Sequence, residues 1–233
     1  MKGTTHVAFG GMLGLVAAVA TYNSVGTGDP LIYGSTVLVG SGLGALLPDI
    51  DAEGATITRK LGLAGMAVAK GLKHRGITHT LLGLFVFALA SFGLSTLFTT
   101  FYRGGTVGKL TVALVMTFIF SCMYNRFSVI RRILRQLLKQ NAAVTGLLSR
   151  LGVFTAVFMS ADYFVPFLNV LSLSLTLGYL SHLISDSFNV SGCPWLFPFV
   201  KKNFSVANCR TGKHDTLFLA GSFVVTVIAL IIL

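Results

Sequence analysis

Long apolar segments with almost no charge constrain this chain more strongly than any other feature of its sequence. There are seven, and their residues are 7–22, 31–47, 80–101, 107–124, 147–161, 164–180 and 216–233. A helix needs about 17 to 25 apolar residues to cross about 30 Å of hydrocarbon. Because the first segment is glycine-rich and the fifth is short, the pattern predicts an all-α, polytopic membrane helical bundle with about five to seven transmembrane helices.

The charge content agrees with a membrane environment. Only 11% of the residues are charged and 54% are apolar, whereas soluble domains average about 25% charged residues. With no linker or repeat between the segments, we expect one membrane-embedded domain over residues 1–233.

The first apolar segment has a second interpretation. Lys2, the apolar run and Ala18-Val19-Ala20 also fit a secretory signal peptide with an A-x-A cleavage site. Cleavage would remove His6, which belongs to the cluster described below. We therefore favour a transmembrane helix.

The basic residues are distributed very unevenly about the predicted spans. Of the 18 Lys and Arg residues, threading leaves only Arg103 and Lys109 on one side. By the positive-inside rule, the basic side faces the cytoplasm. The N-terminus is then cytoplasmic as well.

Residues 126–150 form a basic segment between two spans. Apolar residues follow one helical face from Ile130 to Leu138, and Arg131, Arg135 and Lys139 lie largely off that face. This pattern predicts an interfacial amphipathic helix that lies on anionic phospholipids; a solvated loop that only fixes the topology is the alternative. Features that read nucleic acid are absent from the segment, so no nucleic-acid partner is expected.

Histidine and aspartate residues cluster in three short segments, each at the predicted cytoplasmic end of a span. The candidate metal ligands are Asp49, Asp51, His74, His79, His182 and Asp186, with His6 as a possible contribution from the N-terminus. His182 and Asp186 are four residues apart, so they share one helix face and can reach one ion. Asp49 and Asp51 follow Pro48 in a predicted non-helical turn.

The types of these ligands restrict the metal. Imidazole and carboxylate together favour zinc, manganese or iron over calcium or magnesium. With six or seven candidate ligands, two or more ions are expected. Each pair alone also has a structural interpretation, as a helix cap or a turn, but the whole set on one side is difficult to explain by capping.

Arg75 lies between two candidate ligands and has two interpretations. It is either a charge that fixes the topology or a donor that holds a phosphate beside the metals, because the guanidinium fork matches phosphate oxygens.

With these motifs the sequence resembles the YdjM-like (YbcI/YdjM) family of bacterial inner-membrane metal-dependent hydrolases. The residues that carry the resemblance are Thr5-His6, Leu47-Pro48-Asp49-Ile50-Asp51, His74-Arg75-Gly76-Ile77-Thr78-His79, Gly178 to Asp186, Ser191-Gly192 and Trp195 to Pro198. The resemblance implies a membrane-embedded all-helical hydrolase of the inner membrane, with a ligand set distantly similar to that of zinc phospholipase C. It implies metal binding by His6, Asp49, Asp51, His74, His79, His182 and Asp186. Two departures are Lys213-His214-Asp215, where the family tends to have Glu, and the elaborated stretch 126–150.

The hypothesis for function is phosphoester hydrolysis by metal-activated water at the cytoplasmic leaflet. Asp49 or Asp51 is expected to bridge the metals or orient the water, and Arg75 to neutralise the phosphate. A site at headgroup level favours a phospholipid or an isoprenoid phosphate as the substrate. The alternatives are a metal-ion transporter, which would place its ligands near the bilayer midplane, and a non-catalytic membrane protein with a structural metal site.

Overall fold

The computed structural model describes residues 3–25, 29–71, 76–102, 105–124, 128–139, 141–207, 209 and 214–232. In these ranges the backbone is almost entirely helical and contains no β-strand, only two isolated bridges. The helices are α1 (Gly3–Val25), α2 (Pro30–Gly44), α3 (Thr56–Leu61), α4 (Leu63–Gly71), α5 (Leu81–Tyr102), α6 (Thr106–Tyr124), α7 (Ser128–Leu138), α8 (Ala142–Phe164), α9 (Leu168–Ser187) and α10 (Asp215–Ile232).

The predicted all-α membrane bundle is confirmed, and each of the seven apolar segments corresponds to one helix. Four described segments are long and apolar enough to cross a membrane: Gly3–Tyr22, Pro30–Asp51, Leu81–Tyr102 and Ala142–Ser187. The last has 46 residues, about twice what one crossing needs, and it is broken at Val165–Phe167 into α8 and α9. Helices α6 and α10 contain the shorter apolar stretches Thr106–Phe118 and Asp215–Ala229.

Helices α1, α2 and α9 form a central unit in which each contacts the other two. Small residues permit the backbones to approach closely, as they do in membrane bundles generally. A Cβ atom at Gly178 of α9 would overlap the carbonyl group of Ser41 in α2, and one at Gly44 would overlap the carbonyl group of Leu175. Helix α10 packs on the outside of α1, and α5 packs on α9.

A polar contact joins three helices at the end of the bundle opposite the His/Asp cluster. Asp162 near the end of α8 accepts hydrogen bonds from Tyr102 at the end of α5 and from Lys109 in α6. Helices α6 and α8 are therefore antiparallel neighbours. Lys109 is one of the two basic residues that the topology assigned to this end.

The basic segment contains α7, which is an amphipathic helix. Leu137 is 72% exposed and Ile133 is 48% exposed, beside the exposed Arg132 and Arg135. Helix α8 already begins at Ala142, where the Asn141 side chain caps it by accepting a hydrogen bond from the Val144 N–H. Exposed apolar and exposed basic residues thus both lie on α7, and its placement on anionic lipid stays a prediction.

The segment that follows α9 folds back over the site end of the bundle. The two bridges join Asn189 to Cys209 and Cys193 to Phe204. The Trp195 indole N–H donates to Ser187 Oγ at 2.7 Å, and the Trp195 carbonyl accepts from the Leu81 N–H at 3.0 Å. This segment therefore ties the end of α9 to the start of α5.

Candidate metal centre

Four parts of the chain bring one His/Asp cluster together at one end of the central unit. His6 comes from the first turns of α1 and His182 from the last turns of α9. Asp49 lies in the 3-10 helix Pro48–Asp51 after α2, and His79 ends the 3-10 helix Ile77–His79 before α5. The elements meet there because all four helix ends lie at the same end of the bundle.

Local hydrogen bonds hold the two short connecting segments. The Thr58 hydroxyl donates to the carbonyl groups of Asp49 at 3.3 Å and Ile50 at 3.2 Å. Thr80 caps α5 by accepting from the Gly83 N–H at 3.0 Å. Thr58 therefore holds the backbone at Asp49, and Thr80 holds the start of α5 directly after His79.

The cluster is almost fully enclosed by protein. The side chains of His6, His79, His182, Asp51 and Asp186 are all less than 5% exposed, whereas that of Asp49 is 23% exposed. A buried group of charges needs partners or a bound ion to offset the cost of desolvation. The only side of the described cluster open to solvent or a substrate is the one at Asp49.

Four ligand atoms from three segments lie close together around the Nε2 atoms of His79 and His182. The Nε2 atoms of His79 and His182 are 3.3 Å apart. Asp186 Oδ2 is 3.7 Å from each of them. Asp49 Oδ1 lies 3.8 Å from His79 Nε2 and 3.7 Å from His182 Nε2.

His6 extends the cluster on the other side of Asp186. Its Nε2 atom is 3.6 Å from Asp186 Oδ1, and its ring stacks on that of His182 with 3.9 Å between centroids. The two oxygens of Asp186 thus face different histidines, Oδ1 toward His6 and Oδ2 toward His79 and His182. This arrangement would let Asp186 hold one ion with each oxygen.

Hydrogen bonds at Nδ1 fix the tautomers of His182 and His6. The His182 Nδ1 atom is 2.7 Å from the Ala45 carbonyl oxygen, which can only accept, so Nδ1 carries the hydrogen. The Ser185 hydroxyl donates to the His182 carbonyl at 2.9 Å. Ser185 Oγ therefore accepts from His6 Nδ1, 2.6 Å away. In both rings Nε2 keeps its lone pair for a metal.

The same rule applies to His79 through Asp51. The Thr78 hydroxyl donates to Asp51 Oδ2, and His79 Nδ1 lies 3.3 Å from that oxygen. His79 Nδ1 is then the donor and Nε2 the ligand atom. Asp51 lies behind the ring, in the position of the carboxylate in a carboxylate–histidine–metal triad.

The donor set fits a transition-metal ion. Two ligand atoms about 2.1 Å from one tetrahedral ion are about 3.4 Å apart. The convergent separations are 3.3 to 3.8 Å, close to the spacing of ligands that share one ion. Among the described residues, two groups of donors are close enough to hold an ion: His6, His182 and Asp186, and Asp49, His79 and His182.

The structure brings together six of the residues that the sequence selected as ligands: His6, Asp49, Asp51, His79, His182 and Asp186. Predicted ligand His74 and predicted phosphate donor Arg75 lie outside the described residues. The sequence interpretation did not select Ser185, Thr78 or the Ala45 carbonyl, nor Cys193, whose thiol donates to the His79 carbonyl at 3.1 Å. For Ser185 a signal was present, since it lies three residues after His182 on the same helix.

Comparison with protein families gives a match over residues 1–233 to the YdjM inner membrane protein family. Comparison with curated proteins and with solved structures gave no match.

Proposed function

Because the chain belongs to the YdjM inner membrane protein family and carries a buried His/Asp cluster, we propose that it is a membrane-embedded, metal-dependent hydrolase. Its substrate is a phosphoester of a phospholipid or an isoprenoid phosphate. Water attacks phosphorus, the ester P–O bond breaks, and the leaving oxygen takes up a proton.

One observation carries the proposal: three histidines present Nε2 atoms to a common space beside two carboxylates. His6 and His182 use Nδ1 in hydrogen bonds to Ser185 and to the Ala45 carbonyl, and His79 Nδ1 is 3.2 Å from the Thr78 hydroxyl. This pre-organised set, made of nitrogen and oxygen donors, is of the same kind as the zinc phospholipase C ligands that the family resemblance implies. We propose that it holds two or more divalent ions, preferably zinc, with manganese or iron as further candidates.

Asp186 is our candidate for the bridging ligand, since its two oxygens face different histidines. When bound, the metal supplies Lewis acidity and brings the pKa of a coordinated water to about 7. Asp49 lies at the open side and orients the attacking water by accepting one of its protons in a hydrogen bond. Asp51 holds the His79 ring, and Arg75, four residues before His79 in the sequence, neutralises the phosphate.

The position of the cluster favours a lipid substrate. The ligands lie at the ends of α1, α2, α5 and α9, which is the level of the lipid headgroups if these helices cross the bilayer. The positive-inside rule assigns this end to the cytoplasmic leaflet. A metal-ion transporter would instead place its ligands near the midplane.

A structural metal site is the second candidate, and the near-complete burial of five of the six side chains favours it. A structural zinc site is coordinatively closed, whereas a catalytic site keeps a position for water. The exposure of Asp49 at 23% supports the catalytic alternative.

The test is metal content by mass spectrometry together with phosphate release from phosphatidic acid and an isoprenoid phosphate, and headgroup release from phosphatidylglycerol. Purified wild type is compared with Asp49→Asn and with Glu53→Gln, a matched control on an exposed carboxylate four residues away. Hydrolysis lost in Asp49→Asn and kept in Glu53→Gln supports the enzyme. Bound metal without turnover on any of these substrates would favour the structural site, and absence of metal would refute both.

A further inference from the structure

An apolar groove lies on the outside of α1, between α2 and α10, at the end of the bundle that carries the cluster. Its volume is about 680 Å³, within the range of about 300–1,000 Å³ typical of ligand pockets. Small residues on the two inner walls, Ala8, Gly11 and Gly42, leave this space open. Helices α2 and α10 both pack against α1 and form the sides.

The groove adjoins the open side of the candidate metal centre. Leu46 lines it and comes three residues before Asp49, so the two are at most about 11 Å apart. Asp49 is the ligand with the largest exposure. On α1, Val7 lines the groove directly after His6. In a lipid whose phosphate lies at Asp49, the glycerol or the first prenyl carbons would therefore reach the groove.

The dimensions of the groove match one hydrocarbon chain in one leaflet. On α10 the lining runs from Leu219 to Thr226, which is about 10 Å along a helix axis at 1.5 Å per residue. One leaflet supplies about 15 Å of the 30 Å hydrocarbon core. The groove thus follows most of the leaflet depth and ends inside it.

We propose that this groove binds the hydrocarbon chain of the lipid phosphoester, so that the substrate enters sideways from the bilayer with its phosphate at Asp49. This inference rests on the proposed function and deepens it, because it assigns the subsite for the hydrocarbon chain of the substrate and the route by which the substrate enters. Apolar contact along the groove supplies the affinity, and the site at its mouth selects the phosphate.

The test is photolabelling with phosphatidic acid that carries a diazirine on one acyl chain, present in trace amount in vesicles of phosphatidylethanolamine and phosphatidylglycerol. The protein is the full chain with Asp49→Asn, which the proposed function predicts not to hydrolyse the lipid during labelling. Labelled residues are mapped by mass spectrometry. Helix α10 contains its own control, because Phe223 lines the groove and is 69% exposed, while Leu217 is 72% exposed and lies on another face. We expect about tenfold more label on Phe223 than on Leu217, which corresponds to a preference of about 1.4 kcal/mol.

A matched pair of substitutions tests the groove independently. Ala8→Leu fills it, while Ala90→Leu makes the same change on the exposed surface of α5. If Ala8→Leu displaces about two methylene groups of the lipid chain from the groove, labelling of Phe223 falls about tenfold. Ala90→Leu leaves the labelling of Phe223 unchanged. Equal label on Phe223 and Leu217, or label insensitive to Ala8→Leu, would overturn the inference. Groove-specific label without hydrolysis of any phospholipid or isoprenoid phosphate by the wild type would refute the hydrolase and keep the lipid site. Hydrolysis by the wild type with even label would keep the hydrolase and refute the lipid site.

Discussion

Replacing Asp51 with Asn tests whether this carboxylate positions His79 or binds the metal itself. Asn has nearly the same volume and still accepts the hydrogen bond from the Thr78 hydroxyl. It removes the negative charge 3.3 Å from His79 Nδ1. The side chain is fully buried, so no solvent replaces the lost charge.

The expected effect is that of a residue that supports a ligand without being one. Loss of such a partner typically lowers metal affinity about 10- to 100-fold, or about 1.4 to 2.7 kcal/mol. Asp49→Asn, which removes a direct donor, should lower the affinity further. The assay is competition for zinc between the detergent-purified metal-free protein and a chromogenic chelator, with Glu53→Gln as the variant expected to match wild type.

Two results would refute the reasoning. Unchanged zinc affinity in Asp51→Asn would mean that the carboxylate does not orient the ring. A loss as large as that of Asp49→Asn would mean that Asp51 is itself a ligand, as the sequence pattern alone suggested.

Other consequences of the structure can be measured directly. Gly178→Val should prevent recovery of a monodisperse protein in gel filtration, because its Cβ would overlap the Ser41 carbonyl group. Gly152→Val, which has open space around it, should behave as wild type. Equal elution profiles of the two variants would contradict the close packing of α2 and α9. Removing metal with a chelator should lower the melting temperature, by the equivalent of about 2.7 kcal/mol if metal was present at 100 times its Kd, and an unchanged melting curve would argue against a bound ion. Lys109→Met should lower the free energy of unfolding by less than about 1 kcal/mol, because the ion pair with Asp162 is partly exposed. A larger loss of thermal stability would show that this contact holds the far end of the bundle together.

The positions of the helices could be predicted from the sequence because hydropathy depends on composition alone. Their ends could not. The sixth segment was predicted to end at residue 180, but α9 continues to Ser187. Hydropathy treats His182, Ser185 and Asp186 as a polar boundary, whereas contacts with other helices bury all three. The fifth segment was predicted too short for a different reason. Helix α8 starts where the Asn141 side chain caps it with a hydrogen bond, and hydropathy does not measure capping.

The members of the cluster could also be predicted, but their separate roles could not. Asp49 and Asp51 are equivalent in a linear motif. In the structure they differ, because Asp49 Oδ1 faces Nε2 of His79 and Asp51 Oδ2 faces Nδ1 of the same ring. Which nitrogen each carboxylate meets depends on the path of the 3-10 helix and on Thr78, neither of which the spacing of the motif specifies.

The orientation of the site depends on helix ends as much as on side chains. The last carbonyl groups of a helix have no partner within the helix, and Ala45, the C-cap of α2, gives its carbonyl oxygen to His182 Nδ1. The carbonyl group of His182 in turn holds Ser185, which accepts from His6. A shift of α2 along α9 would therefore break the hydrogen bond that keeps the hydrogen of His182 on Nδ1. The Nε2 lone pair would then no longer be reserved for a metal. Close packing at Gly44 and Gly178 resists that shift. In the proposed metal centre, ion binding and the packing of α2 against α9 are therefore expected to be coupled, so that each stabilises the other.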